Sequence, residues 1–211
     1  MRKERARMFW LLALLLCAAM GELIKFGFFD GEAHWHQIRY FTNLSNLLAG
    51  GYALLKLCRP RIAIPALRGL AVLAMSVTAL VYHVMLSSVF GGYEPFGMGW
   101  WGNLLVHTLT PALMVGEWLL FRDERALNRR HPLIWVSFPA AYFGATVCMA
   151  QLGMVMPNSD TPYPYPFLDV WKLGWAVVLR NVLLMGVGFL ALGYALVGVD
   201  CLRRRILSDK L

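Results

Sequence analysis

The stretch IRYFTNLSNLLAGGYALLKLCRPRIAIPALRGLAVLAMSVTALVYHVMLSSVF, residues 38–90, holds two apolar runs joined by a short basic segment. About 20 apolar residues at 1.5 Å rise per residue cross the ~30 Å hydrocarbon core of a bilayer. Lys56, Arg59, Arg61 and Arg68 put positive charge at one end of both runs. Thr42, Asn43, Ser45, Asn46 and His83 lie toward the other end. The two ends are therefore chemically distinct: one basic, one carrying neutral hydrogen-bonding groups.

Working outward, the same alternation recurs. Sixteen of the 20 Lys and Arg residues fall in four places: Arg2 to Arg7, Lys56 to Arg68, Arg122 to Arg130, and Arg203 to Lys210. The intervening loops are almost free of them. Lys and Arg collect in short cytoplasmic loops, so this pattern places both termini inside. Hydrophobic residues make up 59% and charged residues 15% of the 211. Soluble domains carry about 25% charged residues, so the composition is that of a membrane protein. The net charge of +8 is explained by topology and anionic headgroups, not by a nucleic-acid-binding face.

The expectation is an all-α integral membrane bundle, a single domain of six transmembrane helices over about 8–29, 38–57, 66–90, 98–121, 132–154 and 170–201. The first run follows a basic stretch like a secretory signal, but its length reads as a retained anchor. Cys17, Cys58, Cys148 and Cys201 show no Cys-x-x-Cys spacing and read as free thiols. The outer segment PNSDTPYPYPFLD, 157–169, favours extended or polyproline-like backbone. It reads equally as an aromatic anchor or a stiff lid.

Polar residues inside spans carry the functional reading. An ionised side chain at a helix centre costs roughly 2.5–3.5 kcal/mol on insertion scales, so such groups turn inward and find partners. Glu22 and Lys25 share a face of span one; Thr42, Ser45 and Asn46 form a stripe opening span two. His83 lies in span three, Asn103 and His107 in span four, Arg180 and Asn181 in span six. All fall within roughly 15 Å of the outer surface. Glu117 is the main inner-half exception and is expected to meet Arg122 or another basic residue at that edge.

A hydroxyl nucleophile needs a base within reach and a group to orient that base. Thr42 and His107 supply the first two. Asn103, one turn before His107, orients the imidazole or stabilises an oxyanion. Asn43, Asn46 and His83 are supporting candidates; Arg180 or Lys25 suits a substrate carboxylate, with Glu22 as an ion-pair partner. The residues alone leave alternatives open: a small transporter or channel, a non-catalytic protein with a polar cavity, bis-histidine haem ligation by His83 and His107, or a zinc site drawing on His34, His36, His83 and His107. Gly-x-Ser-x-Gly and His-Glu-x-x-His are both absent from the chain.

Three motifs narrow this. YFTNLSNLL at 40–48, NLLVHTLTPALMVGEW at 103–118 and PYPYPFLD at 162–169 resemble landmarks of the androgen-induced protein family of six-span membrane proteins, whose bacterial relatives are called proline-rich six-transmembrane proteins. The resemblance covers most of the chain. It implies a threonine-dependent hydrolase of fatty acyl esters, such as branched fatty-acid esters of hydroxy fatty acids. Thr42 then stands as nucleophile and His107 as base. It implies no metal or cofactor, with the membrane and a lipid as partners. The amide-rich run after Thr42, and His83, depart from the animal pattern; with the compact loops they imply a bacterial inner-membrane protein.

Overall fold

The computed structural model describes residues 2–90, 92–122, 126–157 and 159–208. Arg125, Asn158 and Lys210, which belong to the basic clusters and the outer loop, lie outside the described residues. Among the described residues all regular structure is helical. Two compact units divide the chain, Met1–Ala126 and Leu127–Leu211.

The first unit holds four rods. Helix α1 is Arg2–Lys25. After a 3-10 turn at Trp35–Arg39 comes α2, Phe41–Cys58. Helix α3 is Pro65–Val81, opened by its proline and continued by a π turn, Tyr82–Leu86, into Ser87–Phe90. Helix α4 is Met98–Leu104, a second π turn at Leu105–Leu109, and Thr110–Leu120. The junctions are all right-handed helical backbone, so each π turn widens its rod without breaking it. Proline suits a first helical position because the missing N–H has no intrahelical partner there.

Span one was expected to reach Phe29, but the helix stops at Lys25. Gly27 takes φ +79°, Phe28 N–H bonds Leu23 O at 3.0 Å, and Gly27 N–H bonds Ile24 O at 3.1 Å. This is the paired closure that ends helices on a left-handed glycine. A Cβ at Gly27 would sit 1.8 Å from Glu32 O, so no other residue fits. Phe28 and Phe29 follow it as exposed turn residues.

Helix α1 packs closely on α2 and α4. A Cβ on Gly21 would lie 2.8 Å from Val106 Cγ1, one on Gly102 2.6 Å from Ile24 Cγ2, and one on Gly116 2.5 Å from the Trp10 ring. Small residues let membrane helices approach in this way. Between these helices Leu14, Ala49, Tyr52, Ala53, Leu73, Met75, Val106 and Met114 are completely enclosed.

One end of this unit carries a buried ionic knot. Glu117, with 0% exposure, receives Arg7 Nε at 2.9 Å and Tyr52 Oη at 3.3 Å on Oε1, and Arg68 Nε at 2.8 Å on Oε2. Arg68 also donates to the Glu117 and Phe121 carbonyls. Lys56 turns back to Pro60 O and Ile62 O at 3.0 and 2.7 Å. Glu117 thus meets basic residues at that edge, as expected, though Arg122 is not among those partners. Its partners there are Arg7 and Arg68. Three residues of the basic clusters thus serve packing.

The second unit holds α5, which is His131–Trp135 and Ser137–Gln151, and α6, Val170–Ser208, kinked where Gly174 takes φ 74°. Asp200 joins its ends: Leu127 N–H and Arg204 Nε both reach Oδ2, at 3.0 and 2.9 Å. In the Pro/Tyr segment Tyr163, Tyr165 and Leu168 are buried. Tyr165 meets Tyr142 and stacks on Phe167, while Asn181 donates to Phe167 O at 3.0 Å. The segment therefore folds onto its own unit. Burial, and then the Asp169 carboxylate, push the Tyr163 phenol up from its ordinary range.

Four helical stretches are long and apolar enough to cross a bilayer: Arg2–Lys25, Pro65–Leu86, His131–Gln151 and Val170–Ile206. Their outward residues include Leu12, Leu16, Leu80, Val84, Leu133, Ile134, Leu183, Leu184 and Val187. Apolar side chains on outer faces are what a lipid solvent requires. Helices α2 and α4 are not among the four, and these two carry Thr42–Asn46 and Asn103–His107.

Candidate functional site

Helix α2 begins abruptly. Tyr40 is extended, at φ −89° and ψ 131°, and Thr42 is the second helical residue. Asn43 fixes this entry by donating Nδ2 to the Gln37 carbonyl and to Gln37 Oε1, at 2.8 and 3.1 Å. It holds the 3-10 turn against the start of the helix. Its side chain therefore supports the loop below Thr42.

Across from it, His107 sits in the middle of the α4 π turn. Its Nδ1 lies 3.2 Å from the Asn103 carbonyl. A carbonyl oxygen only accepts, so Nδ1 carries the proton. Nε2 is then a lone-pair acceptor, and Thr42 Oγ1 lies 3.3 Å from it. The hydroxyl donates, the imidazole accepts, and the tautomer is fixed from behind by backbone. π turns recur at functional sites because they displace the ladder and re-aim a side chain.

Asn46 locks the two helices in register. Its Nδ2 donates to Thr42 O at 2.9 Å and to Val106 O at 3.0 Å. One completely buried amide thus ties the backbone of the threonine to the residue preceding the histidine. Asn103 acts twice: its carbonyl orients His107, and its Nδ2 donates to Tyr82 Oη.

Tyr82 is the residue that sequence reasoning missed. Its ring stacks on the His107 imidazole, centroids 3.9 Å apart at 18°. Among apolar neighbours in α3 a tyrosine reads as packing; its place one residue before His83 was the available signal. The two π turns face each other, since His83 Nε2 also lies 3.1 Å from Thr108 Oγ1. His83 itself is exposed and packs edge-on against Tyr82. It stands at the rim of the Thr42–His107 pair.

The charged candidates are arranged differently. Glu22 is 7% exposed, and neither carboxylate oxygen has a hydrogen-bond partner among the described residues. Lys25 instead reaches Tyr93, its Nζ 3.3 Å from the hydroxyl and 4.9 Å from the ring centroid. The expected Glu22–Lys25 pair is thus replaced by a lysine–tyrosine contact, made possible because Tyr93 folds in from the loop before α4. Arg180 belongs to the second unit, where it is exposed on α6. There Asp169 accepts Lys172 N–H at 3.2 Å.

Ser45 Oγ, Asn46 Oδ1, Thr78 Oγ1, Asn103 Oδ1 and Thr110 Oγ1 of the same helices are buried with no hydrogen-bond partner among the described residues. His34 and His36 stand side by side between α1 and α2, ring centroids 5.7 Å apart. Burial, then His34 and Arg39, hold His36 below the usual imidazole range. Among the described residues no three His, Cys, Asp or Glu side chains converge as a metal cage would need.

Comparison with protein-family models, with curated proteins and with solved structures finds no match for this chain.

Proposed function

We propose that the chain is a membrane lipid ester hydrolase of the androgen-induced protein type, with Thr42 as nucleophile and His107 as general base. The observation that carries this reading is the hydroxyl–imidazole pair at 3.3 Å with its tautomer set by the Asn103 carbonyl. Nucleophile, base and orienting group in sequence are what acyl transfer by a hydroxyl requires.

In the reaction, Thr42 Oγ attacks the ester carbonyl carbon and its proton passes to His107 Nε2. The carbonyl π electrons move to oxygen, giving a tetrahedral oxyanion. Collapse breaks the bond to the leaving alkoxide, which takes the proton from Nε2. Water then attacks the acyl-threonine by the same relay, releasing the fatty acid and restoring the Thr42 hydroxyl. Fatty acyl esters, branched fatty-acid esters of hydroxy fatty acids among them, are the substrate class.

The same proposal extends to topology: six spans formed by α1 to α6, cytoplasmic termini, and residence in a bacterial inner membrane. The charge asymmetry of the loops supports it. A conduit is disfavoured by the fully buried apolar Ala49, Ala53, Leu73, Met75 and Met114 and by the buried knot on Glu117.

The test is hydrolysis of a panel of lipid esters by the purified wild type and by Thr42→Ala and His107→Ala. Turnover by wild type and its loss in both variants, each folded, is the expected result. Undiminished hydrolysis by either variant removes that residue from its role.

A further inference from the structure

An oxyanion needs a hydrogen-bond donor aimed at it, and Thr42 and His107 supply none: the hydroxyl becomes the ester oxygen and the imidazole shuttles the proton. Nor are the obvious amides available. Asn46 spends Nδ2 on two backbone carbonyls and Asn43 spends its own on Gln37. Asn103 gives Nδ2 to Tyr82 Oη.

That last bond points to a donor beside the imidazole. Tyr82 is buried, its ring lies flat on His107, and its oxygen is already filled as an acceptor by the Asn103 amide. Among the described residues the phenol is an acceptor and donates no hydrogen bond, and the Oδ1 of the same Asn103 amide is buried and unpartnered. A buried hydroxyl without an acceptor is unfavourable, a penalty that a ligand oxygen would lift. Accepting one hydrogen bond also strengthens the O–H as a donor.

We propose that Tyr82 is a further catalytic residue, whose O–H donates to the oxyanion formed when Thr42 attacks, with Asn103 as the positioning residue that aims it. This rests on the Thr42 hydrolase reading. The electron pair displaced from the carbonyl rests on the oxygen that Tyr82 holds. No proton leaves the phenol, and when the intermediate collapses the hydrogen bond relaxes. One asparagine thus governs both partners of the reaction, the base through its carbonyl and the donor through its amide.

The experiment is a cycle of Tyr82→Phe, Asn103→Ala and the double variant, with kcat and KM measured on an ester that wild type hydrolyses. Tyr82→Phe keeps the stacked ring and removes one O–H. The expected loss is of order 10²–10³ in kcat with KM unchanged, the usual scale for one oxyanion donor. The double variant is expected to be no worse than the sum of effects minus a clear coupling, because Asn103 acts partly through the phenol. Full kcat in Tyr82→Phe or a change confined to KM would overturn the role of Tyr82, and strictly additive losses would overturn the positioning role of Asn103, in each case leaving Thr42 in place. Absence of hydrolysis by wild type on every ester would overturn the underlying threonine reading, and this role with it.

Discussion

At the scale of single residues, the site depends on one buried amide. Asn46 bonds the carbonyl of Thr42 and that of Val106, so it fixes how far the hydroxyl stands from the imidazole. Asn46→Ala leaves two buried carbonyls without this donor. The expected cost is about 1–3 kcal/mol of stability. Displacement of the pair should lower kcat by about 10²-fold, the scale of a 1 Å misplacement. Thermal unfolding in detergent and ester kinetics measure the two effects separately. The Thr42–His107 pairing was legible in the sequence because both lie at matched depth in their spans and supply a hydroxyl and a base. Tyr82 was not, since nothing distinguishes a catalytic phenol from a packing one in an apolar helix. The partner of Lys25 was equally hidden: Tyr93 comes from a loop whose path the sequence does not state.

At the scale of elements, glycines and π turns position α1 against α4. Gly116 faces Trp10, whose indole N–H is held by Leu113 O at 2.7 Å and cannot swing away. Gly116→Ala therefore overpacks the contact and should cost about 1–3 kcal/mol. Gly186 of α6 has nothing within 4 Å of a built Cβ. Gly186→Ala is expected to be neutral or to stabilise by about 0.5–1 kcal/mol. Unfolding midpoints of the two variants in the same detergent check the contrast. Helix existence was readable from the length of the apolar runs. Helix ends were less so: α1 stops four residues early because Gly27 adopts a left-handed backbone, and the apolar Phe28 and Phe29 disguise that stop. The π turns left no mark in the sequence, because their register shift follows from packing around Tyr82 and His107.

At the scale of the whole molecule, charge distribution carried the topology expectation, but burial modifies its meaning. Arg7 and Arg68 belong to clusters read as loop charges, yet both close on Glu117, and Lys56 closes on loop carbonyls. Periodicity cannot reveal this, since a basic residue at a span end looks the same whether it faces lipid headgroups or a carboxylate. Cys58 is exposed at the end of α2, and Cys201 is exposed in the last turns of α6. With cytoplasmic termini, a membrane-impermeant maleimide should label both in inside-out vesicles and neither in intact spheroplasts. Labelling from outside would invert the proposed orientation.

The central claim is that the Thr42 hydroxyl, activated by His107, forms an acyl-enzyme. Its most direct test is peptide mapping by mass spectrometry after brief reaction with an activated fatty acyl ester or a fluorophosphonate. The account predicts one adduct, on Thr42, abolished in His107→Ala. An adduct on another side chain, or equal labelling of Thr42 without the imidazole, would contradict it.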